Sequence, residues 1–257
     1  MISLNKIILF TFLISISAIG ASPIANIEDV RRSGEVGNFQ DVEFAFSGSR
    51  GNEERDDYDL GIALVNNSVN SESMFLLEKS ERTNEDVVED ESFFLHARFL
   101  WKNKERRYNF ETYFQSSENP FQSYKRRNLI GFGIRLSEIE YMTLSVSILH
   151  EREDSLLGEE KSTNRVNVFA NKNIEIKNDS YVSLSAFFQP SINEFSDDYK
   201  YSLSASYNIP ISENFLIKFK LSDSYDSDPP DLAKKSDHTF STSFIYSFWK
   251  LNRKQFF

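Results

Sequence analysis

The chain has 257 residues, no cysteine and a net charge of −10, with 40% hydrophobic and 26% charged residues. That apolar share is too high for a disordered chain, and a chain without cysteine forms no disulfides, thiolate metal sites, thiol nucleophiles or lipid-modified N-terminal cysteine. The acidic balance repels polyanions, so no nucleic-acid partner is expected.

Residues 1–21 read as a cleaved secretory signal peptide. Lys6 precedes the apolar run Ile7–Ile16, and the small residues Ala18, Gly20 and Ala21 lead into Pro23. The run is shorter than the ~20 residues a helical span requires. Residues 22–38 form a short periplasmic segment that could enter a lumen. From Gln40 the chain alternates with a period of two, the signature of strands with one apolar and one polar face. Expected strands lie at 40–48, 56–67, 71–82, 91–102, 106–117 and 124–137, then at 140–151, 163–173, 180–190, 197–208, 214–225 and 237–248.

The alternation is plain in Met142, Leu144, Val146 and Ile148 against Thr143, Ser145 and Ser147. It returns in Tyr201, Leu203, Ala205 and Tyr207 against Ser202, Ser204 and Ser206, and in Phe240, Phe244 and Tyr246 against Ser241, Ser243 and Ser247. These strands are about 9–13 residues long, beyond the usual 5–6 of soluble sheets and close to the 9–11 of a tilted membrane strand. Connections alternate too. Short turns are expected at 67–70, 103–105, 137–138, 173–179 and 210–214, and long acidic loops at 50–55, 83–90, 118–123, 152–162, 191–196 and 226–236. The resulting fold class is all-β: a single antiparallel transmembrane β-barrel of about 12 strands over 39–248, with a C-terminal tail at 249–257.

Period alone leaves the facing open, because a soluble periplasmic barrel shows the same pattern with its apolar side inward. Aromatics near strand ends (Tyr58, Trp101, Tyr108, Tyr207, Phe215, Phe248) suit interfacial belts. Glu43, Asp59, Arg98, Glu111, Arg135, Arg165 and Lys218 fall in mid-strand on the polar side. A dry core makes such charges costly, whereas mutual pairing in a hydrated lumen removes most of the cost. These seven are the expected lumen-lining charges.

The stretch Tyr225–Thr239 is more specific. It holds Tyr225–Asp226, Pro229–Pro230, Lys234–Lys235 and Asp237, ahead of a strand that ends Tyr246–Ser247–Phe248. It resembles the penultimate loop of the uncharacterised YdiY-like family of salt-induced outer-membrane proteins. Phe44–Ser49 with Gly51–Asn52, and Phe195–Tyr199, resemble further parts of that pattern. The resemblance implies a barrel in the Gram-negative outer membrane, partnered by outer-membrane lipid, lipopolysaccharide and the barrel insertion machinery, and it brings no established activity. The family usually stops at the terminal Phe of its last strand, whereas Trp249–Phe257 continues here.

Chemistry is sparse. His150 follows Ser145 and Ser147 on one strand, which makes it the candidate base of a lipid-acting enzyme; His96 reads as a lumen or packing residue. Asp56–Asp57–Asp59, Glu85–Asp86 with Glu89–Asp90–Glu91, and Glu151–Glu153–Asp154 offer oxygen ligands without EF-hand spacing. Asp226, Asp228 and Asp231 beside Lys234 and Lys235 read as a charged rim, a cation site or a solvated turn. Lys125–Arg126–Arg127 at an outer strand end are expected to meet lipopolysaccharide phosphates. No cofactor is expected. The leading expectation is a non-enzymatic outer-membrane barrel, structural or a narrow passive pore, linked through the resemblance to salt stress. The alternatives are the lipid-acting enzyme and the soluble binding barrel.

Overall fold

The computed structural model describes residues 36–248, apart from 50–54, 85–86, 104, 106, 121–122, 137–141, 178 and 231–232. The expected signal peptide, nearly all of segment 22–38 and the tail 249–257 lie outside the described residues.

Twelve strands occupy the described residues: β1 (Gly37–Ser49), β2 (Arg55–Asn67), β3 (Ser71–Asn84), β4 (Val87–Trp101), β5 (Tyr108–Asn119), β6 (Tyr124–Leu136), β7 (Met142–Ser155), β8 (Glu160–Glu175), β9 (Tyr181–Pro190), β10 (Tyr199–Pro210), β11 (Phe215–Asp226) and β12 (Ser236–Ser247). Each pairs antiparallel with its sequence neighbours, and β12 pairs back onto β1, so the sheet is a closed barrel without a free edge. The closing seam is short, running from Asp41↔Ser247 to Ala45↔Ser243. The start of β1 and the end of β12 share one rim, here the terminal rim; the opposite one is the loop rim.

The faces decide what kind of barrel this is. Leu203, Phe219 and Phe244 keep 49%, 38% and 41% of their surface exposed, while Lys218 and Arg135 keep 5% and 1%. Apolar side chains therefore point out and charged ones in. A soluble barrel has the reverse arrangement, because burying the apolar face is what drives its folding. Outward aromatics gather at both rims. Phe99 and Trp101 (4.6 Å between ring centroids) and Tyr246 and Phe248 (5.2 Å) lie at the terminal rim. Tyr225 stacks with Tyr199 and Tyr201 (5.7 and 5.4 Å) at the loop rim.

Two expected loops are strand instead. β3 and β4 extend through most of 83–90, and β7 and β8 take up all of 152–162 except residues 156–159. Charge on both faces hides the alternation there: Arg152 points out, while Glu151 and Glu153 point in. Gly158, at φ +88°, supplies the tight reversal, a conformation that other residues adopt only with strain.

The interior is filled from both ends. Phe39, Ala63, Val65, Met74 and Leu76 make a small apolar cluster inside the terminal half. Tyr113 crosses the inner face of β6 where Gly131 lacks a side chain; a Cβ there would clash with the Tyr113 ring carbon Cζ. Its hydroxyl meets Ser147 Oγ at 2.8 Å, and Asn167 Nδ2 donates to the same oxygen at 3.1 Å. Gln189 Nε2 donates onward to Asn167 Oδ1 at 3.0 Å. This polar ladder satisfies groups that would otherwise be buried unpaired.

Candidate functional site

The densest chemistry lies inside the loop half, on the wall formed by β6 to β11. Glu151 of β7 is its hub. Arg127 Nε donates to Glu151 Oε2 at 3.0 Å, and Glu151 Oε1 faces Lys200 Nζ at 3.0 Å and Arg165 Nε at 3.4 Å. Lys200 also reaches Glu153 at 3.3 Å and Asp226 at 3.2 Å. Arg165 Nη1 meets Asp198 Oδ1 at 2.8 Å. Arg127, Glu151, Arg165 and Lys200 are all buried, and their desolvation is offset only because every cation shares a carboxylate with another.

The network continues into the loops. Lys161 bridges Asp198 at 3.0 Å and Asp228 at 2.5 Å, tying the β11–β12 loop to β8. Ser227 N donates to Tyr199 O at 3.0 Å, and Pro229 and Pro230 lie over a small hollow above Lys200 and Glu153. Burial pushes the Asp198 carboxyl up, but the hydrogen bond and charge of Arg165, with help from Lys161, hold it below the usual aspartate range. The Tyr225–Thr239 stretch thus has a physical role. Asp226 and Asp228 anchor it, and the two prolines end strand pairing above the mouth.

A second cluster sits lower on the same side. Arg135 Nε donates to Glu111 Oε2 at 2.9 Å, Arg98 Nε lies 3.9 Å from the same oxygen, and the Arg135 guanidinium lies over the Phe169 ring at 5.6 Å. The opposite wall is looser. Lys218 pairs with Glu43 at 2.7 Å, and Arg82 with Asp57 at 3.1 Å. Asp59 accepts from Ser80. Glu78 shares the inward face of β3 with Met74 and Leu76, yet it is exposed, so solvent reaches a recess beside it.

All seven residues expected in the lumen (Glu43, Asp59, Arg98, Glu111, Arg135, Arg165, Lys218) point inward, in three separate clusters. The hub is not among the expected lumen charges: Glu151 ends the expected strand 140–151 and Glu153 falls in the expected loop 152–162, both offered only as oxygen ligands, and Arg127 is expected at the rim. Their positions are in phase with Ser145 and Ser147, which was the available signal. Cations already occupy both carboxylates, and among the described residues no group of three or more His, Asp or Glu is arranged to hold a metal ion.

The Lys125–Arg126–Arg127 run splits. A register shift between Tyr124 and Arg126 leaves Lys125 and Arg126 exposed and turns Arg127 inward. Three consecutive strand residues cannot all face out, because successive side chains alternate. Arg126 pairs with Glu118 at 3.0 Å. Ser145 and Ser147 are buried inside while His150 is exposed outside, so neither serine can serve that histidine. His96 lies inside, stacked between Phe94 and Tyr113 (6.3 and 6.1 Å).

The family pattern described as "Protein of unknown function, DUF481" matches residues 42–248. The chain belongs to that family. The match spans the stretch that carries the YdiY-like resemblance and so agrees with it. No curated protein matches this DUF481 chain. Among solved structures it is similar to a NanC porin (10% identity, TM-score 0.47, covering 82% of this chain and 100% of that one). It is similar as well to the translocator domain of the autotransporter NalP from Neisseria meningitidis (10%, 0.48, 86% and 91%). An outer membrane channel from Pseudomonas putida F1 is a third (9%, 0.48, 87% and 99%).

Proposed function

We propose that this DUF481 chain is a β-barrel of the Gram-negative outer membrane, with its terminal rim in the periplasm and its loop rim outside, acting as a structural element of the envelope. The observation that carries the reading is the inverted packing: an apolar outer surface girdled by aromatics around an interior of paired charges. Only hydrocarbon makes such a surface favourable, and a closed sheet satisfies every backbone group within it. The filled interior supports a structural role over an open channel. Removing paired charges from a lumen would be needed to admit a solute of any size.

The exposed Glu78 favours a second reading, a narrow passive pore along the β1–β3 wall. Glu43 on that wall is neutralised by Lys218, so Asp59 and Glu78 are the carboxylates that would give such a path a preference for cations. Planar-bilayer recording separates the two. The structural reading expects no unitary conductance from the folded protein. Cation-selective steps that disappear in Glu78→Lys would replace it with the pore.

Lipopolysaccharide phosphate is proposed as a contact of Lys125 and Arg126 alone, since Arg127 is inside. Lys125→Gln with Arg126→Gln should lower the lipopolysaccharide that co-purifies with the barrel. Unchanged retention would remove the contact.

A further inference from the structure

Four polar residues meet on the outer face of β7 and β8, outside the interior network. His150 stands directly opposite Asn164 in the strand register, and Arg152 directly opposite Ser162. All four side chains are exposed on the outer surface. His150 Nδ1 lies 2.9 Å from Asn164 Oδ1, and His150 Nε2 lies 3.4 Å from Ser162 Oγ. The amide oxygen can only accept, so it fixes the proton on Nδ1 and leaves the Nε2 lone pair facing the Ser162 hydroxyl. We propose that Ser162 and His150, oriented by Asn164, form a serine-hydrolase centre on the outside of the barrel that cleaves acyl esters of membrane lipid.

The chain of contacts is that of an activated nucleophile: a hydroxyl, a base within reach, and a third group that orients the base. The Ser162–His150 separation is at the long end of a hydrogen bond, as is common before substrate closes the site. Arg152 is kept beside Ser162 by Glu160 at 2.8 Å and Asp154 at 3.5 Å. Its guanidinium is the cation available to a developing oxyanion. Position supplies the substrate class. The next outward side chains toward the terminal rim are Ile148 and Val166, with Ile130 beside His150 on β6, and Ile148 and Ile130 are both exposed. The centre therefore stands where the apolar band gives way to polar surface. That is the depth of the ester groups of a bilayer leaflet, given the membrane placement proposed above.

The reaction needs only lipid and water. Ser162 Oγ bonds to the ester carbonyl carbon as its proton passes to His150 Nε2, and the carbonyl electron pair moves onto the oxygen near Arg152. Collapse breaks the bond between that carbon and the alkoxy oxygen, which leaves as lysolipid alcohol with the proton from His150. Water then attacks the acyl-serine while His150 takes its proton. The acyl–Oγ bond breaks as His150 returns that proton to Ser162 Oγ, releasing fatty acid and restoring the serine hydroxyl and neutral His150. Asn164 touches neither substrate nor nucleophile and acts as a positioning residue.

The test uses the full folded chain in mixed micelles with phosphatidylethanolamine, heat-shifted gel migration verifying the fold of each variant. A fluorophosphonate probe should attach to Ser162, as located by mass spectrometry, and fatty acid should be released. Ser162→Ala and His150→Ala should each lower release about 100-fold or more. Asn164→Ala should lower kcat with KM nearly unchanged, and Asn164→Asp should restore it. Labelling of Ser162 without lipid hydrolysis would keep the centre and overturn the lipid substrate. A folded protein that neither labels nor hydrolyses, or hydrolysis that survives Ser162→Ala, would overturn the centre itself.

Discussion

Replacing Glu151 with alanine should destabilise the barrel by about 3–5 kcal/mol, the range for removing one partner of a buried ion pair. Arg127, Arg165 and Lys200 all face this carboxylate within 3.4 Å, and all are buried. Lys200 retains Glu153 and Asp226, Arg127 keeps Glu153 only at 3.7 Å, and Arg165 keeps Asp198 together with the Gln189 carbonyl at 3.3 Å. Glu151→Gln keeps the volume and loses the charge, so its cost should fall between wild type and alanine. Changing Arg127 and Glu151 together to methionine should recover part of the loss, since the guanidinium that loses its nearest carboxylate is removed with it. Urea unfolding of the barrel in lipid vesicles measures each step. A loss under about 1 kcal/mol for Glu151→Ala would mean that water already screens the cluster.

Replacing Phe132 with arginine should cost about 2–4 kcal/mol in a bilayer, the penalty for a cation on the lipid face near mid-membrane. Phe132 is exposed in the middle of β6, opposite the exposed Ile148, so the substitution leaves the interior untouched and gives up on the outer face the stacking of Phe132 on Phe110 (6.1 Å). On a water-facing surface the same change falls within about 0.5 kcal/mol of neutral. Folding yield and urea stability in vesicles, compared with Ile174→Arg near the terminal rim, give the depth dependence. Equal, negligible effects at both positions would mean that no hydrocarbon surrounds the barrel.

Much of the fold was legible because period two maps directly onto facing. Leu203 beside Ser202, or Ile148 beside Ser147, announces two surfaces without any knowledge of the partner strand. What stayed hidden depends on neighbours. Arg152 and Asp154 alternate with Glu151 and Glu153, so both faces are charged and the segment imitates a loop; only the ion pairs with Glu160, Arg127 and Lys200 reveal a strand. The register shift at Tyr124 and Arg126 leaves no compositional mark, which is why three adjacent cations read as one surface patch. Ser162 and Asn164 became neighbours of His150 only through the tight 156–159 turn, whose single sequence clue is Gly158.

Fluorescence quenching from single cysteines tests the inversion of the faces most directly, since the chain has no cysteine of its own. Labels at Leu203→Cys and Glu78→Cys, in vesicles whose acyl chains carry bromine, report the outer and inner faces. The label at 203 should be quenched strongly by the brominated chains, and the one at 78 only by a water-soluble quencher. Quenching by lipid at 78 with a label at 203 shielded from it would contradict the arrangement on which the proposed membrane location stands.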